Sequence, residues 1–298
     1  MIKIKKLFLI ILLLIPVYIS SFYFKKAVFL NSKDETKKND NPVIVHIQDK
    51  DLYLDLEDYV LGVVASEMPA LFNDEALKAQ AVAARSFAMS RAHNNVINIS
   101  SSISDQVYQQ NFELSNKWND NYYEYYKKIE KAVIDTKGMV IKRDNIILPT
   151  YYFSMSNGKT ENSENVFKEN LFVSVDSSYD KNVKNFKYVK TISEREMLNL
   201  LNVDNILIGD IKKNNTNHVE SIIISDKIFT GIEFRKLLGL RSTDFEIKRV
   251  DNNYEITTYG YGHGVGMSQY GANEMAKNGA DYKEILNHYY QNTILSKI

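Results

Sequence analysis

The chain of 298 residues contains no cysteine, which excludes disulfides and thiolate metal sites and leaves the redox compartment unread from cysteine pairing. It has no surplus of either charge: 37 basic and 37 acidic residues sum to a formal net charge of zero, so no basic excess argues for a nucleic-acid partner. The five histidines (His46, His93, His218, His263, His288) include no H-E-x-x-H or other paired metal spacing, so no metal site is expected. No G-x-G-x-x-G register fits and no Gly-Lys-Ser/Thr occurs, so neither a dinucleotide nor a nucleotide cofactor is indicated. Ser156-Asn157-Gly158-Lys159 matches the S-x-x-K of acyl-transfer sites, but the accompanying Ser-Asp-Asn and Lys-Thr-Gly elements are missing and the match reads as chance.

What the chain does have begins with an uncharged run. Lys3, Lys5 and Lys6 precede Leu7 to Phe24, and Lys25 and Lys26 follow. Such a run is a membrane span or a signal peptide; the missing Ala-x-Ala-like site and the aromatics near its end favour an uncleaved anchor. The expected organisation is a cytoplasmic N-terminus over 1–6, a single-pass anchor over 7–24, a polar linker over 25–42 and an extracytoplasmic domain over 43–298. A hydrophobic content of 44% suffices for a substantial core.

The domain is organised around Tyr59 to Arg91. Asp74 and Glu75 open an Ala-rich series without Gly or Pro, which predicts a helix from Asn73 to about His93 that is central and buried. Gln80 and Arg85 on that helix each need a polar partner, and Glu67 is the expected partner of Arg85. Glu67 is the only charged residue between Asp58 and Asp74, and Pro69 ends the helix before it. From the residues alone it is either a solvated carboxylate at a helix end or an acid whose apolar surroundings hold its proton.

Elsewhere the pattern is α+β, with no repeated βαβ period. Short strands are expected around Val43 to Ile47 and Leu52 to Leu56, a Ser/Asn-rich loop from Asn94 to Asp105, and a helix from Asn119 to Thr136 stopped by Gly138. A hairpin is expected with strands Met139 to Ile141 and Ile146 to Phe153, running into the polar stretch Ser154 to Glu164. Ile206 to Ile211 and Val219 to Ile224 read as strands, and Phe245 to Val250 pairs with Tyr254 to Thr258. Ser193 with Glu196, Thr230 with Glu233 and Asp281 with Glu284 have helix-opening spacing. Gly260, Gly262, Gly264 and Gly266 alternate with other residues, so backbone must come close to something: a ligand, another strand or the Ala-rich helix. His263 and Gln269 are the polar side chains presented with that ladder.

The segments LEDYVLGVVASEMPALFNDEALKAQAVAARSFA, DQVY, YYFSMSNGKTENSE and GYGHGVGMSQYGA stand in this order, and together they resemble the stage II sporulation protein D family with its amidase-enhancer relatives. The resemblance implies a single large catalytic domain with a substrate cleft. It implies a lytic transglycosylase that cuts peptidoglycan glycan strands during engulfment of the forespore, beside a partner amidase and membrane proteins of the engulfment machinery. By motif, Glu67 is the implied catalytic acid/base, with Arg85 and Gln80 beside it. Tyr151 or Tyr152, Ser154, Asn157, His263 and Gln269 are implied cleft residues, and Tyr179 and Lys181 flank Asp180 in a further element. Some relatives carry metal ligands before DQVY, but Asn94 to Ser104 holds neither Cys nor His. A non-catalytic enhancer that binds glycan or an amidase stands as the second class. Glu67 is expected to act alone, with Asp105, Glu161 and Glu164 as rival second carboxylates.

Overall fold

The structure, a computed structural model, describes residues 42–298. Strands β1 (Ile44–Ile47) and β2 (Leu52–Asp55) pair antiparallel and lead into helix α1 (Leu56–Glu67), whose N-cap Asp55 accepts the Glu57 N–H. Helix α2 (Asp74–Met89) follows, capped by Asn73, which accepts the Glu75 N–H and gives its own N–H to Asn273. Because most of its buried positions are alanine, neighbouring backbones approach it closely, and all of Ala76, Leu77, Ala79, Ala81, Val82, Ala83 and Ala84 are fully buried. The expected central helix is thus present, four residues shorter at its end.

The segment read as a loop after it contains strand β3 (Val96–Ile99), which runs parallel to β1 with Ile97 and Ile99 buried. Its alternation of apolar and polar residues was hidden among asparagines, two of which, Asn94 and Asn95, turn the chain with positive φ. Helices α3 (Asn111–Trp118) and α4 (Tyr122–Asp135) then pack beside α1 and α2. Strand β4 (Met139–Arg143) turns through Asp144 and Asn145, both at positive φ, into β5 (Ile146–Ile147). The expected second hairpin strand stops there, since Pro149 supplies no ladder N–H. The chain resumes as β6 (Tyr152–Phe153), and α5 (Ser163–Phe167) follows.

An inserted α+β unit spans β7 (Lys187–Ser193), α6 (Glu194–Leu201), β8 (Ile208–Lys213), β9 (Val219–Ile224), β10 (Lys227–Thr230), α7 (Gly231–Leu238), β11 (Phe245–Val250) and β12 (Asn253–Tyr259). Two sheets, ordered β10-β9-β8 and β11-β12-β7, enclose a core that includes Met197, Ile222, Phe234, Phe245 and Ile256. Thr230 and Glu233 form the expected capping box and Gly239 closes α7 in the left-handed region. The chain then returns through the glycine ladder to β13 (Met267–Ser268), which pairs parallel with β6, and to α8 (Gln269–Lys277), α9 (Tyr282–Tyr289) and β14 (Ile294–Lys297). Val43–Ile298 forms one compact α+β unit carrying several small sheets.

The anchor expected over 7–24, its flank over 1–6 and all but the last residue of the linker lie outside the described residues. Among the described residues no helix is long and apolar enough to cross a membrane.

Candidate active site

Glu67 is the last residue of α1, with Met68 as C-cap. A carboxylate there faces the negative end of the helix, which favours its protonated form. Opposite it lies the segment Asp105 to Tyr108, seated by a glycine: a Cβ on Gly62 would come 2.2 Å from the Tyr108 ring, so the missing side chain lets that ring lie on α1. Val107 thereby donates its backbone N–H to Glu67 Oε1 at 2.8 Å. Oε2 takes no hydrogen bond from the described residues.

Gln106, almost wholly buried, orders the hydroxyls around this acid. Its Nε2 donates to the Ala84 carbonyl at 3.3 Å, an atom that only accepts, and this fixes the orientation of the amide. Oε1 therefore accepts from the Tyr59 hydroxyl at 3.1 Å, while Nε2 also donates to the Tyr152 hydroxyl at 3.0 Å. Tyr59 has spent its proton on Gln106; Tyr152 keeps its own to donate. Burial, and after it the nearby Glu67 charge, hold the Tyr152 phenol well above its ordinary pKa. Burial is also the main reason the Glu67 carboxyl is raised, against the Val107 N–H and the Lys117 charge, which both favour the carboxylate.

Gly260, Gly262 and Gly266 of the ladder lie against Tyr151 to Ser156 and Gly264 lies against Glu161 and His218, so the nearest neighbours of all four are outside the Ala-rich helix. A Cβ on Gly266 would sit 2.0 Å from the Tyr151 carbonyl oxygen, and one on Gly260 2.7 Å from those of Met155 and Ser156. This contact places His263: its Nδ1 accepts the Val265 N–H at 3.1 Å, so its proton is on Nε2, which donates to the Tyr152 carbonyl at 3.1 Å. Burial, then the Arg235 charge, lower its pKa to about 4, and the ring is neutral near pH 7. Tyr151 stacks on Phe167 at 4.2 Å, meets His263 edge-on at 6.4 Å and hydrogen bonds Glu169.

Several expected site residues are engaged otherwise. Arg85 is fully buried and its partner is Glu57 rather than Glu67: Nε and Nη2 donate to the two Glu57 oxygens at 2.9 and 2.6 Å. Glu57 stands in the first turn of α1 while Glu67 stands at its far end, which is why the expected pairing fails. Gln80 and Gln269 are both buried; Gln269 Nε2 donates to Gln80 Oε1 at 3.5 Å, and Gln80 Nε2 has no partner among the described residues. Asn157 donates to the Thr216 carbonyl and to Asp244, tying the polar stretch to the inserted unit. The Ser154 carbonyl accepts the Tyr270 N–H. Tyr179 is exposed, and the Lys181 stem passes over Gly158. Between them Asp180 is fully buried and accepts from Ser156, Ser177 and Ser268, so the Ser156 of the S-x-x-K match donates to a carboxylate.

The rival carboxylates differ in setting. Glu161 is buried and accepts from Asn162, Asn165, Asn214 and Thr216, which outweigh the burial that would raise its pKa and leave it below the ordinary value. It lines a separate cavity of about 430 Å³ with His218 and Thr243, whose walls do not include Glu67. Glu164 is exposed, and Asp105 accepts from Ser100 and faces Arg91 at 3.4 Å.

The family model for Stage II sporulation protein matches residues 49–142, which contain Glu67, Arg85 and the Asp105 to Tyr108 segment. Over 255 residues the chain is 41% identical to Stage II sporulation protein D of Bacillus subtilis, covering 81% of this chain and 74% of the relative. The chain belongs to the stage II sporulation protein D family. The protein of that name from Bacillus amyloliquefaciens is 40% identical with the same coverage, and the Amidase enhancer of Bacillus subtilis is 27% identical over 79% of this chain and 40% of its own length. In this member of the family, side-chain patterns did not reveal the Val107 N–H, the Gln106 amide or Lys117 as neighbours of the acid. DQVY marked the segment, but a backbone donor leaves no trace in residue type.

Proposed function

We propose that this chain is a sporulation protein with peptidoglycan lytic transglycosylase activity, cutting glycan strands between N-acetylmuramic acid and N-acetylglucosamine during engulfment. The observation that carries the reading is one partly buried carboxyl at a helix C-terminus, with a free oxygen, a backbone donor on the other and a cation nearby. Burial favours the protonated acid needed first, and the Val107 N–H and Lys117 favour the carboxylate needed next.

In the first step Glu67 gives its proton to the glycosidic oxygen as the bond to muramoyl C1 breaks. The carboxylate then takes the proton of the C6 hydroxyl, whose oxygen closes on C1 to leave a 1,6-anhydro end. No water enters, so the second carboxylate that ordinary glycosidases place about 5 to 10 Å from the first has no task. The intramolecular hydroxyl carries the advantage of proximity. In this reading Tyr152, whose hydroxyl proton is not taken up by a bond among the described residues, donates to the glycan. The lysine-flanked run at 7–24 anchors the domain outside the membrane, where an amidase and the membrane proteins of engulfment are its partners.

Mass analysis of products from purified protein and glycan strands tests this. Anhydro ends, lighter by one water than reducing ends, are expected from the wild type. Glu67→Gln should fold and bind glycan while cleavage falls about 10²-fold or more. Reducing ends would mean a hydrolase with a second carboxylate; no cleavage by the wild type, with stimulation of an added amidase, would make it an enhancer.

A further inference from the structure

Lys117 lies outside every motif singled out in the sequence. In the fold its ammonium donates to the Ala65 carbonyl at 3.2 Å and the Ser66 carbonyl at 3.3 Å, the two residues immediately before Glu67. These are carbonyls of the last turn of α1, which have no partner inside the helix and carry its negative pole. The helix that carries the ammonium is fixed in place: α3 is held by buried Leu114, by its capping box between Gln110 and Glu113, and by the 3.0 Å ion pair from Lys50 to Glu113. The Trp118 ring centroid lies 5.9 Å from Nζ.

The geometry points to Lys117 as a positioning residue that sets the proton affinity of Glu67 by neutralising the helix end on which the acid is mounted. Without it Glu67 would face two influences with one sign: loss of water and the uncapped carbonyls of α1. The Val107 N–H would be the remaining opposing neighbour, while the Asp105 carboxylate and Arg91 act on the same Tyr59 phenol that the Glu67 charge reaches. The carboxylate left after proton donation would then hold its next proton too tightly to release it. Lys117 has no ion pair with Glu67 within 4.0 Å among the described residues, so it lowers proton affinity without locking the carboxyl. Its own pKa is lowered by burial, against the Glu67 charge, although the residue as a whole is exposed. The catalytic consequence rests on the proposed role of Glu67; the electrostatic one does not.

The test is a ¹³C titration of the Glu67 carboxyl in the full chain, its signal identified by loss in Glu67→Gln. Lys117→Met removes the charge and both hydrogen bonds, Lys117→Gln removes the charge but can still reach a carbonyl, and Lys117→Arg retains both. The Glu67 midpoint should rise by roughly 0.3 pH unit or more in the Met and Gln variants, the scale of a charge at a helix end, and stay in place with Arg. An unchanged midpoint in either folded neutral variant overturns the assignment. Cleavage measured against pH separates this from the function. The alkaline limb of kcat/KM should move upward with the midpoint. If the midpoint moves and the limb does not, Lys117 keeps its role and Glu67 is not the acid.

Discussion

Arg85 was expected beside the substrate, and its surroundings lead to a different expectation for its removal. All five guanidinium N–H groups are used: Nε and one Nη2 proton on Glu57, the other Nη2 proton on the Val133 carbonyl at 3.4 Å, and Nη1 on the carbonyls of Met139 at 3.1 Å and Ala81 at 3.5 Å. The pair ties α1 to α2, to the end of α4 and to the start of β4. Breaking a buried pair from one side costs about 3–5 kcal/mol, because the remaining charge stays out of water. The Glu57 side chain is 20% exposed and also accepts the Gly138 N–H, so Arg85→Met leaves a charge that water partly reaches and belongs near the lower figure. Glu57→Leu leaves a guanidinium with no exposure and belongs near the upper one. For a folded unit of this size, about 2–4 °C of melting temperature per kcal/mol gives a fall of about 6–12 °C for the first and about 10–20 °C for the second.

Thermal melts of the two single variants and of Arg85→Met with Glu57→Leu measure this directly. The double variant should lose less than the sum of the singles, since it buries no lone charge. If Arg85→Met melts within about 2 °C of the wild type and instead raises KM for glycan, the guanidinium is a substrate group and the structural reading is refuted.

Two further outcomes follow from the ladder. Gly266→Ala should cost at least about 3 kcal/mol in denaturant unfolding, because its φ of +81° strains any side chain and its Cβ meets the Tyr151 carbonyl; Gly279→Ala, at φ +97° with nothing within 4 Å, should cost only about 1–2 kcal/mol. Equal losses would show that close approach is not what the ladder glycine serves. His263, neutral in the fold with its pKa lowered from 6.5 to about 4, binds its proton more readily when unfolded, so stability should fall as pH drops through that window and be unaffected above about pH 7. The loss is at most roughly 3 kcal/mol and smaller where water reaches the ring; unfolding of His263→Gln against pH should lack this component, and an identical pH dependence would contradict the half-buried neutral ring.

How much of this could be read in advance depended on whether a residue's neighbours are near it in sequence. Asn73, Thr230 and Asp281 cap helices through bonds two or three residues away, and all three helix starts were legible. Strand β3 was not, because its register is set by β1, some fifty residues earlier, and its four residues stand inside a Ser- and Asn-rich stretch. Pro149 was visible, yet the expected strand ran through it. Glu67 stood out because it is alone among apolar residues, and the same isolation suggested pairing it with the nearest buried cation. Glu57 is a first-turn acid of α1, a role that by itself hides its second task, holding Arg85.

The same reasoning explains why the acid's environment was less legible than the acid. Each of its controls is a group whose residue type carries no message. Gly62 acts by lacking a side chain, Val107 by its backbone and Lys117 by capping carbonyls with an ammonium that any helix surface could carry. What fixes them is the docking of α3 and the Asp105 to Tyr108 segment onto α1, a tertiary event. Glu67 is thus mounted at the helix end that favours its proton, and the elements that temper this preference arrive forty to fifty residues later in the chain. A change in α3 that leaves Glu67 untouched can therefore retune the acid.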